Sequence, residues 1–343
     1  MRTRLFYIIG SLATVAALLF VSGYSLIEVG NGAIKGAFTA PDAWHATLRW
    51  STAYILIGAG VIISVRAGFF NLGAQGQFYL GSLGAVSVSL YWSNGPRYLV
   101  IAMSLVAGIV GGALWAYVPG WLRVKHDANE VITTLMTNFL AILVLRSLSR
   151  GVLQDDAGSG EASSSRTIDP SLRISNGSGF SITTLAISTF VLITLWLILT
   201  RTRFGIISGI VGRNPLMARW QGVDVGDVGI KVFLLSGASA GLAGAVEVLG
   251  ANGRVSSGFE ADLGMTAILV AIVSGLGAIG LALAAIFFGA MQAALLYIPI
   301  VSDVPPSSLQ LMSGMIALFV TAKFAINLRH IRKQGLHKSG ESL

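Results

Sequence analysis

The 343 residues include no cysteine, which excludes disulfides, thiolate catalysis and cysteine-based metal sites. The four histidines, His45, His126, His330 and His337, are scattered without metal-ligand spacing, so no metal centre is assigned. Charge is scarce as well. Asp, Glu, Lys and Arg make up 11% of the chain, against about 25% in an ordinary soluble domain, and a soluble surface cannot be built from so little. No G-x-x-x-x-G-K-[ST] loop is present to cradle a nucleotide and no H-E-x-x-H pattern to hold zinc. The chain therefore carries no ATP site and no catalytic residue of its own.

What the sequence has instead is apolar length. Hydrophobic residues reach 54% and the mean hydropathy is +0.76. Charge-free runs of spanning length recur at Leu5 to Gly23, Ala67 to Pro96, Tyr98 to Leu122, Ser181 to Thr200, Leu263 to Ser302 and Val304 to Ala322. Shorter ones, bounded by single charges, cover Ser51 to Val65, Val131 to Val144 and Val232 to Val246. An α-helix rising about 1.5 Å per residue crosses a hydrocarbon core about 30 Å thick in about 20 residues, so the pattern predicts an all-α polytopic transmembrane bundle of about ten helices. A β-barrel would show short alternating segments instead. The first run, behind Arg2 and Arg4, has the flank of a signal peptide but no A-x-A-like site after it, and reads as a retained helix. The run from Leu263 to Ser302 is too long for one crossing, and Gly275, Gly277 and Gly280 near its middle predict a hairpin or a broken helix.

Lys and Arg accumulate in cytoplasmic loops of membrane proteins. With the N-terminus inside, the inner loops collect fifteen of the 23 basic residues and the outer loops eight, Lys35, Arg49, Arg97, Arg146, Arg150, Arg166, Arg173 and Arg254. This predicts both termini in the cytoplasm, an even number of crossings and an inner-membrane location. The net charge of +8 is then a topology signal for a membrane lipid setting and not the footprint of a nucleic acid. Residues 1–343 read as one transmembrane domain. It has a polar extracytoplasmic loop over 150–180, expected to be flexible, a basic cytoplasmic loop over 201–229 and a basic cytoplasmic tail over 328–343.

Within 201–229 a short helix is marked at both ends. Asn214 can cap it, Pro215 sits at its first position and Gly222 supplies the left-handed stop. A helix this short is marginal in water and needs something to pack on. Its apolar residues Leu216, Met217 and Trp220, flanked by Arg213 and Arg219, suit a groove on a partner protein or, alternatively, the inner leaflet.

Polar side chains inside the apolar runs mark either interhelical glue or a solute pathway. Asn71, Gln75 and Tyr79 recur at i, i+4 and i+8, which predicts one helix face, with Gln77 beside them. Glu130, Thr134 and Asn138 repeat at the same spacing. Glu247 stands alone near the outer third of its helix. These seven charged and polar positions other than Tyr79 are the candidate pathway residues, whereas Gly237 and Gly241, at G-x-x-x-G spacing, read as close-packing positions. Pairs of acids forming a proton or sodium relay are not apparent, so energy for uphill movement is expected from another protein.

Three stretches resemble the permease subunits of bacterial ABC importers of the branched-chain amino acid and ribose permease superfamily, in its nucleoside and simple-sugar branch. Phe70-Asn71-Leu72-Gly73-Ala74-Gln75-Gly76-Gln77-Phe78 is similar to an FN(I/L)G-x-(E/Q)-GQ element. Ala128-Asn129-Glu130-Val131-Ile132-Thr133-Thr134-Leu135-Met136-Thr137-Asn138 is similar to its NEVI-(S/T)-TLM-x-N element, and Gly212 to Val225 resembles the cytoplasmic coupling segment. The resemblance implies an ABC permease fold whose coupling residues are Arg213, Asn214, Pro215, Met217, Arg219, Trp220 and Gly222. It also implies a separate ATP-binding subunit carrying ATP and Mg, an extracytoplasmic solute-binding protein and a second, similar or identical permease subunit. A nucleoside or simple sugar is the expected solute, because a lining of amides and hydroxyls offers no paired ions for an amino acid. Rival readings are a branched-chain amino acid permease, a secondary transporter or channel working without an ATPase, and a structural membrane protein.

Overall fold

The computed structural model describes residues 14, 16, 19–154, 164–175, 180–256, 258–260, 262–309, 311 and 314, and among these it contains helices and two isolated bridges but no strand. The helices are α1 (Leu26–Ile34), α2 (Ala43–Arg66), α3 (Ala74–Tyr91), α4 (Arg97–His126), α5 (Glu130–Arg150), α6 (Ile182–Arg201), α7 (Arg203–Arg213), α8 (Pro215–Trp220), α9 (Val225–Glu247), α10 (Leu263–Val273) and α11 (Ala278–Val301). Among the described residues six of them, α2, α4, α5, α6, α9 and α11, are long and apolar enough to cross a membrane. The expected count of about ten is not reached there, for identifiable reasons. The crossing expected at Leu5 to Gly23 and that at Val304 to Ala322 lie largely outside the described residues, as does the tail over 328–343. The run from Leu263 divides at Gly275 (φ +71°) and Leu276 (φ +60°), so that only α11 has full length. The run from Ala67 becomes helical only at Ala74, and α3, with Gln75 and Gln77 in its first turn, is less apolar than the six.

The chain forms two compact units, residues 48–289 and residues 1–47 with 290–343. In the second unit α1 continues into a π-helical turn over Lys35–Thr39, a helical segment that the sequence pattern left in a loop because Glu28 and Lys35 interrupt its apolar run. Its small residues are buried: Gly36 lies against Tyr297 and the backbone of Ala294, and Thr47 Oγ1 donates to the Ala37 carbonyl at 2.8 Å. Val29, Ile298, Val304 and Leu309 supply the apolar core there.

The larger unit is built round α3, α4 and α9, which approach backbone to backbone. On α4 the buried residues Ser104, Gly108, Gly112, Ala116 and Gly120 repeat every four positions, while Met103, Val106, Val110 and Leu114 point outward. That arrangement, small inside and large outside, suits helices packed in lipid, where burying a leucine gains little over leaving it among acyl chains. Gly237 and Gly241 of α9 face Gly108 and Gly112 directly, as their spacing predicts.

α4 is about 45 Å long at 1.5 Å per residue, and its two ends define the two ends of this unit. At one, Gly226 at the start of α9 lies beside Val124. At the other, Arg97 donates to the Arg173 carbonyl at 3.4 Å. The loop over 150–180, expected to be flexible, is docked there in its described part. Ser165 N and Ile168 N donate to the carbonyls of Val255 and Gly253, each at 2.8 Å, and Ile174 N to Leu249 at 2.9 Å. Ile168 and Leu172 are buried, as are Ser164, Ser165 and Ser175. Asp169 caps a short 3-10 turn, and the Ser171 hydroxyl together with the Ser171 N–H holds its carboxyl below the usual range.

Candidate functional site

Two stretches of backbone in the larger unit leave helical geometry inside the bundle: residues 67–73, which lead into α3, and the described residues 253–256, 258–260 and 262, which precede α10. Arg66 Nη1 donates to the carbonyl of Leu276, just past the end of α10, and Gly264 lies at the other end of that helix, about 15 Å along it. Backbone N–H and C=O groups enclosed by apolar helices need partners from the protein.

The candidate polar residues are those partners. Asn71, expected on a helix face with Gln75 and Tyr79, lies before the start of α3 at Ala74, so that expectation is corrected. Its Oδ1 accepts from Gly73 N at 2.9 Å and from Gln77 Nε2 at 3.0 Å, and its Nδ2 donates to Gln77 Oε1 at 3.1 Å and Ser236 Oγ at 3.0 Å. The short asparagine side chain turns the backbone back on itself before the helix begins. From the other side, Thr134 and Asn138 of α5 share one buried face as their spacing predicts. Leu72 N donates to Thr134 Oγ1 at 3.3 Å, Asn138 Nδ2 to the Leu72 carbonyl at 2.9 Å, and Gly76 N to Asn138 Oδ1 at 2.8 Å. Glu130 Oε1 accepts from Phe70 N at 3.4 Å while its Oε2 meets Arg123 Nε at 2.5 Å, and the same guanidinium also meets Asp127. Five of the candidates thus act on one connector.

Gln75 joins the two irregular stretches. Its Nε2 donates to the Glu260 carbonyl at 2.9 Å, and its Oε1 accepts from Gly264 N at 2.5 Å. The first turns of α3 and α10 meet at this side chain. Gly264 has no room for a Cβ, which would fall on the backbone of Gln75.

Glu247 is the last residue of α9 and only 4% exposed. Arg49 Nη2 donates to its Oε2 at 2.8 Å and to Glu260 Oε1 at 2.6 Å. Two earlier expectations are corrected by this cluster. Arg49 does not lie in an outer loop but inside α2, where two carboxylates meet its charge, and it stacks over Trp50 at 4.9 Å. A pair of acids does meet inside the bundle, with an arginine between its members. Arg49, Glu260 and Ser236 were missed because their partners are distant in sequence. A lone arginine and a lone glutamate in apolar surroundings were the available signal.

At the end of the unit marked by Arg66, Gly212 packs against the carbonyl of Arg66, α7 ends, and α8 follows. Asn214 Oδ1 accepts from Met217 N at 2.9 Å, Pro215 takes the first position and Gly222 has φ +80°. Ala218 is fully buried, whereas Leu216, Met217 and Trp220 are 58%, 50% and 82% exposed. Arg213 and Arg219 flank them. α7 itself was not expected from the sequence, because Gly205, Gly209 and Gly212 break its helical pattern.

Asn138→Leu is expected to abolish the connector's geometry. It leaves Gly76 N and the Leu72 carbonyl unpaired in a dry interior, at about 1–3 kcal/mol each. The variant should reach the membrane yet lose most solute uptake in vesicles, and full uptake would show that the connector is passive.

A family model described as branched-chain amino acid transport system / permease component matches residues 44–321. The guanosine ABC transporter permease protein NupP of Bacillus subtilis is 31% identical over 334 residues, with 96% of this chain and 95% of that protein covered. The glucose ABC transporter permease protein TsgB13 of Haloferax volcanii is also 31% identical over 334 residues, covering 91% of this chain and 86% of the relative. The nucleoside ABC transporter permease protein NupB of Lactococcus lactis is 26% identical over 334 residues, covering 91% and 88%.

Proposed function

The chain belongs to the family of branched-chain amino acid transport system permease components, and we propose that it is the membrane-spanning permease subunit of an ABC importer that moves nucleosides or simple sugars. It is a multi-pass membrane protein and a transport component, not a catalyst. ATP and Mg are held by a separate ATP-binding subunit, and an extracytoplasmic solute-binding protein delivers solute. A second permease, identical or similar, completes the pore in the cytoplasmic membrane, with both termini of this chain in the cytoplasm.

The observation that carries the reading is α8. A helix of six residues with its cap satisfied, its small residue buried and its large apolar residues turned outward is built to be covered. A groove on the ATP-binding subunit covers it, and closure of that subunit's dimer rocks the bundle as rigid bodies. The solute route passes the junction of the two irregular stretches. Gln75 ties the junction together, while Asn71, Gln77, Thr134, Asn138 and Glu130 hold its wall and Glu247 lies in the charged cluster beyond. A nucleoside or sugar suits such a route, because the buried charges are met by one another and what remains to offer is amide, hydroxyl and backbone. The names of the similar permeases, for guanosine, nucleoside and glucose, point the same way.

The test is isolation of the chain from its native membrane in mild detergent. An ATP-binding subunit should come with it, and the reconstituted assembly should take up radiolabelled guanosine or glucose only with ATP and a binding protein present. Uptake by this chain alone would replace the reading with that of a secondary transporter.

A further inference from the structure

Beside α8 the same end of the larger unit is hollow. A cavity of about 380 Å³ opens between α7 and the start of α9, with Phe204 and Ile207 contributed by α7 and Val223 and Val228 by the approach to α9 and its first turn. Its shape is set locally: Val223 N donates to the Ala218 carbonyl at 3.0 Å and Gly222 N to that of Arg219 at 2.9 Å, the stop that ends α8 and turns the chain back. Gly222 lies in the wall two positions after exposed Trp220, and nothing lies within 4 Å of the Cβ it lacks. The groove and the exposed face of α8 therefore adjoin.

Between residues 201 and 231 five basic side chains stand against two carboxylates, and both carboxylates, Asp224 and Asp227, line this groove. Asp227 is already paired, since Lys231 Nζ donates to its Oδ2 at 2.6 Å. Asp224 is not. Its Oδ1 caps α9 by accepting from Gly226 N at 2.8 Å and Asp227 N at 3.1 Å, and among the described residues no basic side chain forms an ion pair with it. A cap needs an oxygen and no charge, asparagine serving there as well as aspartate, and the dipole of α9 rewards the charge only modestly. Arginine fits an apolar groove with a carboxylate at its rim, because its methylene stem lies on apolar surface while the guanidinium makes a charge-assisted bond at the edge. Phe204 adds an aromatic ring on which that group can stack. A lipid chain has no use for Asp224, and a phosphate head is repelled by it.

We propose that this groove seats an arginine side chain of the ATP-binding subunit, stem on the apolar floor and guanidinium on Asp224, so that the footprint of that subunit extends from α8 onto α7 and the start of α9. This rests on the reading that α8 is covered by that subunit.

The test uses the assembled transporter isolated from its native membrane in mild detergent. Asp224→Asn keeps the cap and removes the charge. Binding of the ATP-binding subunit should weaken about tenfold, the loss expected for one charge-assisted hydrogen bond, and should depend less on salt than parental binding does. Asp224→Ala removes cap and charge together. A cap role alone predicts parental binding and salt dependence for Asp224→Asn, with weakening confined to Asp224→Ala, and that result overturns the proposal. A second arm leaves Asp224 unchanged. Because the chain has no cysteine, a thiol-attached photocrosslinker has a single position in it, at Lys231→Cys on the rim of the groove or at Leu216→Cys on α8. On irradiation both should give a covalent product with the ATP-binding subunit. A product from Leu216→Cys alone, or attachment of phospholipid at Lys231→Cys, overturns the groove assignment and leaves the reading of α8 standing, whereas a product from neither overturns both.

Discussion

Changing Trp220 and Met217 together to Asp should leave the chain inserted and folded and reduce ATP-driven uptake to background. Neither side chain supports the bundle: both are exposed, and the contact that seats α8 on the rest of the chain is made by buried Ala218. The cap of Asn214 on Met217 N involves only the backbone of Met217 and survives. What changes is the surface offered to a partner. An exposed tryptophan at the centre of an interface is typically worth 2 kcal/mol or more, and placing a carboxylate in an apolar groove costs about as much again, so the pair of changes should weaken the contact by roughly 10³-fold. The measurement is co-isolation of the ATP-binding subunit together with uptake in vesicles. Asn214→Ala should give a graded version, since loss of a helix cap costs about 1 kcal/mol and loosens α8 without altering its face. Normal uptake by the Trp220 and Met217 double variant would remove the coupling role.

The second large effect is expected at Gly241. A Cβ there would fall on the carbonyl of Gly108 and within 2.9 Å of the Cα of Gly112, both of them backbone on the facing helix. No rotamer change relieves a clash of that kind, so α9 and α4 must separate and the contact with Gly81 of α3 opens with them. Gly241→Val should fail to accumulate in the membrane, since overpacking by about 1–3 kcal/mol is the lower bound when the obstacle cannot move. Gly209 of α7 provides the contrast. Nothing lies within 4 Å of its missing Cβ, so Gly209→Ala should stabilise α7 by about 0.4–1 kcal/mol and raise the thermal midpoint in detergent. Equal tolerance at both positions would contradict the close packing of the three helices.

The two glycines show how far a sequence can be read. Both lie in apolar, glycine-rich helical segments and both have a glycine four positions before them, Gly205 and Gly237, so the spacing that predicts close packing at Gly241 does not by itself separate it from Gly209, where nothing lies within 4 Å. Nothing local announced that α7 would form at all. The helix α8 was legible to its ends, because Asn214, Pro215 and Gly222 act on neighbours three or four residues away. The shared face of Thr134 and Asn138 was legible for the same reason. Asn71 was misplaced on a helix because its real partners, Gly73, Gln77 and Ser236, make it a turn, and the most distant of these lies 165 positions along the chain.

The sequence by itself determined that this chain is helical and spans a membrane many times, which family it belongs to, and where the short helix α8 starts and stops. Those properties depend on composition, on runs as long as a bilayer is thick and on contacts within one helical turn. Only the tertiary structure decided that the polar residues of three helices close on the connector over 67–73, that the loop over 164–175 is docked on residues 249–255, and that Arg49 stands between Glu247 and Glu260. A buried polar group is stable only with a partner, and the identity of that partner is set by which helices the glycine contacts bring together, information that no local stretch of residues contains.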